Sequence, residues 1–290
     1  AGGHASFAQR FDSLGQGVEG ALAQVRGFVQ IMGQLFLDAL RLARAPQAGP
    51  WRDFSGSLYH IGAQALPITA LVGFLIGVVL AYLMSQVLRQ FGADAFIVDI
   101  LGLALIRELG PLLAAVLIAG RSGSAITAQI GVMRVTEELD AMRVLGIAQG
   151  FRLVLPRALA LAVAMPLLVV WTSLMALLGG MLAADITLGI TPSFFMHTLP
   201  QAVRVSNLAL AVGKSVVFGV AIALIGCHYG LQVKPNTESL GRGTTASVVA
   251  AITAAILTAT GGSGRIVSIA PEAVGTARES ARWTRAWRAS

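Results

Sequence analysis

Three charged side chains, Arg107, Glu108 and Lys214, stand inside apolar stretches of a length that meets hydrocarbon. Ionisable groups there are costly, so a chain that keeps them turns them toward a cavity, a ligand or one another. Neighbours on a helix point in different directions, so Arg107 and Glu108 are not expected simply to neutralise each other, which favours a role in holding something over a structural ion pair. Lys214 either snorkels to the headgroups or faces the same polar cavity. A second charged group, Glu137, Glu138, Asp140 and Arg143, has its acids first and its base last, the order a helix dipole favours. Thr136 is the expected N-cap and Gly146 the stop, with Val135, Leu139, Met142 and Leu145 as an apolar stripe. Such a short helix either lies on the membrane or docks against another protein. There is no HExxH, GxSxG or Walker motif. AVGKS at Ala211 to Ser215 resembles the end of a phosphate-binding loop, but Leu208 stands where its first glycine should be, and no strand precedes it. Cys227 is the only cysteine and reads as apolar packing; His197 stands alone, so no metal site is expected.

The elements that must position these charges are membrane helices. In 290 residues, 56% are hydrophobic and 12% charged, with a mean hydropathy of +0.75, which excludes an ordinary soluble domain. The apolar runs are continuous and helix-length, not the short alternating segments of a membrane barrel. The net charge of +7 sits in arginines at the ends of those runs, where the positive-inside rule explains it without nucleic acid.

In order, residues 1–17 form a polar, Gly-rich segment with no signal-peptide core. Val18 to Leu42 repeats Leu22, Val25, Val29, Met32, Leu35 and Phe36 among polar residues, an amphipathic helix lying in the interface rather than crossing it. After Pro46 to Pro50, the aromatics Trp51, Phe54 and Tyr59 mark a membrane entry. A charge-free span runs from Ile61 to Leu88, with Gly73 and Gly77 spaced for close helix approach. The second span, Phe96 to Ala119, is expected to kink at Pro111 beside the charged pair. A third spans Ala158 to Ala184 with a kink at Pro166, and a fourth runs from Leu208 to Leu231. The fifth run, Ala246 to Thr260, has about 15 residues against the ~20 a crossing needs, and an Arg-rich tail, 261–290, follows. The expected fold is thus all-α: a polytopic bundle of about five membrane helices within 18–260, plus the interfacial helix and a cytosolic helix. Arginine bias places the segment before the first span and the connection between spans two and three in the cytosol.

The stretch IRELGPLLAAVLIAGRSGSAITAQIGVMRVTEELDAMRVLGI, Ile106 to Ile147, resembles the signature of the MlaE (YrbE) family, and agreement continues more weakly from Arg26 to Val249, including GKSVVF at Gly213 to Phe218. That family comprises the membrane-spanning permeases of ABC-type lipid transporters associated with MCE proteins. The resemblance implies a homodimer in the bacterial inner membrane, with a phospholipid pocket near Arg107, Glu108 and Lys214 that opens toward a periplasmic MCE-domain protein. It also implies that Glu137, Glu138, Leu139, Asp140, Met142 and Arg143 form a coupling helix docked on an ABC ATPase subunit, which binds the ATP while the permease carries no cofactor; a small STAS-domain protein is a further implied partner. An ion-coupled secondary transporter using the same three charges, or a non-transporting membrane scaffold, are the competing readings of the residues.

Overall fold

The structure, a computed structural model, describes residues 25–259 apart from 46, 48 and 235. The expected polar segment 1–17, the start of the amphipathic helix and the basic tail 261–290 lie outside the described residues. Among the described residues the chain is helical throughout, without strands. Five stretches are long and apolar enough to cross a membrane: Trp51–Gln90, Ile97–Val135, Gly150–Leu188, Val205–Gln232 and Glu238–Ala259.

The first helix, α1, covers residues 25–44. It carries two apolar stripes. Phe28, Ile31 and Leu35 pack against the core, while Val25, Val29, Met32 and Phe36 are exposed beside them. It therefore lies against protein and offers a second greasy face outward, as an interfacial helix does. Asp38 sits on the packed side against Gly150, where burial pushes its carboxyl above the usual range and Arg41, 3.5 Å away, draws it back.

The first crossing is two helices, α2 (Trp51–Gly62) and α3 (Leu66–Gln90), joined by a turn at 63–65. Pro67 in the first turn of α3 accounts for the break, because its ring clashes with the carbonyl four residues back, at Ala63. The expected uninterrupted span from Ile61 is thus corrected, and the helix already begins at Trp51. The second crossing is α4 (Ile97–Leu103), α5 (Gly110–Ile118) and α6 (Ser124–Val135), joined without interruption by wide π turns at Ala104–Leu109 and Ala119–Gly123. A third π turn, Gly150–Val154, opens α8 (Leu155–Leu188). Pro111 and Pro156 each follow a π turn by two residues, and the wider turn makes room for the proline ring. By contrast α8 runs on through Pro166 as α-helix. Beyond it come α9 (Pro192–Ala202), α10 (Val205–Gln232) and α11 (Thr237–Ala259). The last has 23 residues, so the fifth run, read as too short, is corrected. Its polar start, TESLGRGTT, joins the apolar run in one helix.

Between α3 and α8 the packing rests on missing side chains. A Cβ on Gly77 would collide with the Ala176 carbonyl, and one on Gly73 would stand 2.8 Å from that of Thr172. In lipid, where helices gain little from hiding apolar surface, such close backbone contact supplies the association energy through dispersion. Trp171 Nε1 donates to the Leu66 carbonyl at 3.1 Å, which satisfies the indole N–H and ties α8 to the start of α3. Thr127 on α6 donates to Ser247 on α11 at 2.8 Å, inside the bundle. The core falls into two clusters, one around Ala114, Leu161, Phe218 and Ala251, the other around Ala81, Leu101, Ala176 and Phe195. We predict that Gly77→Val lowers the thermal midpoint of the detergent-purified protein, at a cost of about 1–3 kcal/mol. Gly241→Ala, where a Cβ meets nothing within 4 Å, leaves the midpoint unchanged or higher.

Candidate functional site

The first π turn carries Arg107 and Glu108. Its widened ladder, with Gly110 N–H donating to the Leu105 carbonyl, rotates these side chains away from their α-helical directions. Lys214 of α10 meets them there. Its Nζ donates to Glu108 Oε1 at 3.1 Å and Oε2 at 3.0 Å, and Arg107 Nε lies 3.3 Å from Glu108 Oε1. The structure thus brings all three predicted residues together, and it corrects the expectation that Arg107 and Glu108 would not simply neutralise each other. One carboxylate is held between two cations, so the cluster keeps one positive charge in excess. It is also open: Arg107 and Glu108 side chains are each 46% exposed, Lys214 29%. Leu103 and Leu210, both exposed, flank it on the same helices. Charge-bearing and apolar surface are therefore presented side by side along membrane-crossing helices.

The second predicted group forms α7 (Glu138–Val144). Thr136 is not its N-cap. Its hydroxyl donates to the Val132 carbonyl and ends α6, and Glu137 takes the junction in the left-handed region with φ of 62°. That conformation is costly for a residue with a Cβ, so the joint between α6 and α7 is a strained corner. Arg134 and Arg143 both pair with Asp140, at 3.7 and 3.2 Å, fixing α7 to the end of α6. Leu139 is fully buried and Met142 packs on the same core, while Gln149 Nε2 donates to the Leu139 carbonyl at 2.8 Å. Glu137, Glu138, Asp140 and Arg143 are exposed. So are Val144, 88%, and Leu145, 73%, just before Gly146 ends the helix at φ of 70°. Leu145 therefore faces outward, apart from Leu139 and Met142, with which it was expected to form one apolar stripe.

One site went unread. Asp53, Ser57, His60 and Gln64 fall on one face of the first crossing, and Arg121 on the second π turn donates to the Gln64 carbonyl and, at 3.2 Å, to its Oε1. The polar spacing of four, three and four residues was the available signal. His197 lies exposed on α9.

A bundle of five crossing-length helices, with charge in mid-span and a short amphipathic helix between two crossings, defines a multi-pass membrane protein. The family description "Permease MlaE" matches residues 54–261, and the chain belongs to that family. Similar proteins include a probable ABC transporter permease of Synechocystis sp., 33% identical over 77% of this chain and 83% of its own length. The intermembrane phospholipid transport system permease protein MlaE of Haemophilus influenzae is 33% identical over 66% of this chain and 74% of its own. The chloroplastic protein TRIGALACTOSYLDIACYLGLYCEROL 1 of Arabidopsis thaliana is 31% identical over 69% and 57%, respectively.

Strain at the α6–α7 corner gives a direct test. Glu137→Gly leaves the thermal midpoint no lower than wild type, whereas Glu137→Val, β-branched at positive φ, costs roughly 1–2 kcal/mol in a melt monitored by circular dichroism.

Proposed function

We propose that this chain is the permease subunit of an ATP-driven lipid transporter, moving phospholipid between the bacterial inner membrane and a periplasmic MCE-domain protein. The single observation that carries this reading is the half-exposed cluster of Arg107, Glu108 and Lys214, with its uncompensated positive charge among apolar walls. A phospholipid matches both halves of that surface. Its phosphate completes the charge through charge-assisted hydrogen bonds, and its acyl chains cover Leu103, Leu210 and their neighbours at about 0.8 kcal/mol per buried CH₂. A second copy of the chain closes the pocket, since a charged patch left facing lipid tails is costly. The names of the Haemophilus and Synechocystis relatives support lipid as cargo and an ABC transporter as the machine.

In this reading, energy enters through α7. ATP binds a separate ATPase subunit, whose groove takes the exposed Val144, Leu145 and the charged residues Glu137, Glu138, Asp140 and Arg143. Because Leu139 is sealed in the core and Asp140 is pinned by Arg134, a push on α7 moves α6 rather than bending the joint. The second crossing is continuous through both π turns, so that motion reaches Arg107 and Glu108. A STAS-domain protein would act on the ATPase side.

The test is reconstitution with candidate ABC ATPase and MCE-domain proteins of the same organism, following transfer of a fluorescent phospholipid. Lys214→Glu and Glu108→Ala each reduce transfer about tenfold or more, as expected for loss of a charged hydrogen-bond partner, while the complex still assembles. Transfer at wild-type rate in both variants overturns the pocket assignment, and transfer driven by a proton gradient without ATP overturns the ABC mechanism. Val144→Asp with Leu145→Asp abolishes co-purification of the ATPase and leaves the permease's own thermal midpoint within about 0.5 kcal/mol of wild type, because both side chains are exposed.

A further inference from the structure

A cavity of about 940 Å³ lies among α2, α6 and the third π turn, with none of Arg107, Glu108 or Lys214 in its wall. Its walls carry four guanidiniums, Arg52, Arg121, Arg152 and Arg157, against one carboxylate, Asp53. Much of that donor capacity is unspent. Arg121 uses two contacts on Gln64, and Arg157 uses two, on the Leu153 carbonyl at 3.3 Å and Gln129 Oε1 at 3.4 Å, from the five N–H groups each possesses. Arg152 lies 3.6 Å from Asp53, and Arg52 makes no ion pair among the described residues. Among the arginines the lining also holds apolar side chains, Ile61, Ile126, Met133 and Leu153. The depth is informative: Arg121 lies about four turns before Val135 along the second crossing, on the order of 20 Å from its end. A cavity reaching that far into the crossing suits a small amphiphile entering head or tail first.

We infer that this cavity is a second ligand site, one that binds the phosphate of a lipid headgroup between Arg52, Arg152 and Arg157 with acyl chain laid on the apolar lining. Guanidinium forks match phosphate oxygens in pairs, and several forks around one cavity hold a monoanionic diester more tightly than a zwitterion. The third π turn and the broken first crossing are what open the space: the one brings Arg152 to Asp53, and the other frees the Gln64 carbonyl for Arg121. The site is separate from Glu108 and Lys214 and does not depend on the role proposed for them.

The test uses the full chain in detergent with Ser57→Cys, a partly exposed wall position, as reporter; Cys227 is fully buried and does not compete for a water-soluble maleimide. Dihexanoyl phosphatidylglycerol is expected to slow labelling about fivefold or more, and Arg52→Gln with Arg157→Gln to raise the concentration needed about tenfold, the loss expected for removing charged hydrogen bonds. Arg52→Gln alone, at an exposed position, carries the same direction if the double variant fails to fold. Glu108→Ala leaves the protection unchanged. Equal protection by dihexanoylglycerol removes phosphate recognition, equal protection by inorganic phosphate at the same concentration removes the lipid, and protection lost with Glu108→Ala assigns the effect to the other site. Each of these three results, or the absence of any protection, overturns the inference.

Discussion

A charge or a bare backbone carbonyl inside a hydrocarbon-length bundle must find a partner, and the rest of this structure is arranged around meeting that demand. The three π turns are the means. Each departs from α geometry where an arginine sits, Arg107, Arg121 and Arg152, and each turns that arginine toward an acceptor on a different helix or on its own neighbour. Glu108 answers Arg107 and Lys214, the Gln64 carbonyl answers Arg121, and Asp53 answers Arg152. The prolines that follow two of these turns make the same departure from α geometry favourable for steric reasons, so charge placement and backbone geometry agree at Pro111 and Pro156.

The scaffold holding these turns is rigid where it needs to be. Gly73 and Gly77 let α3 lie backbone to backbone on α8, and the Thr127–Ser247 contact ties α11 to α6. Around the charged residues the helices instead leave surface open. Close packing on one side and open, charged faces on the other are what a protein that grips and releases an amphiphile requires, and the proposed transport role rests on that contrast.

The Asp53–Arg152 pair joins the start of the first crossing to the start of the third, so the two arginine-rich regions lie at the same end of the bundle. This agrees with the orientation drawn from arginine bias, which puts both on the cytosolic side. α7 lies at that end too, beneath the basic cavity, with Met142 and Ile147 in its wall. A ligand in that cavity and a force on α7 would act on the same few turns of helix, which gives the two proposed sites a physical route to one another.

Hydropathy and periodicity in the sequence were enough for the helical class, the first four crossings and the amphipathic α7, because apolar run length and a 3.6-residue period are local properties that lipid and water read directly; by the same rule the fifth crossing, whose first turns are polar, was read as too short. The resemblance to the family from Ile106 to Ile147 was legible for a different reason, the fixed order of its charged, glycine and apolar residues. What only the tertiary structure decided was direction. That Arg107 and Glu108 touch, that Glu137 and not Thr136 turns the corner, that Pro67 breaks the first crossing and Pro166 does not break the third, and that the Asp53-to-Gln64 stripe faces Arg121, all depend on where a helix is wound wide and what lies opposite. A π turn shifts every side chain beyond it by about a quarter of a turn, and whether one forms is settled by partners distant in sequence. Chain-local rules hold no information about those partners.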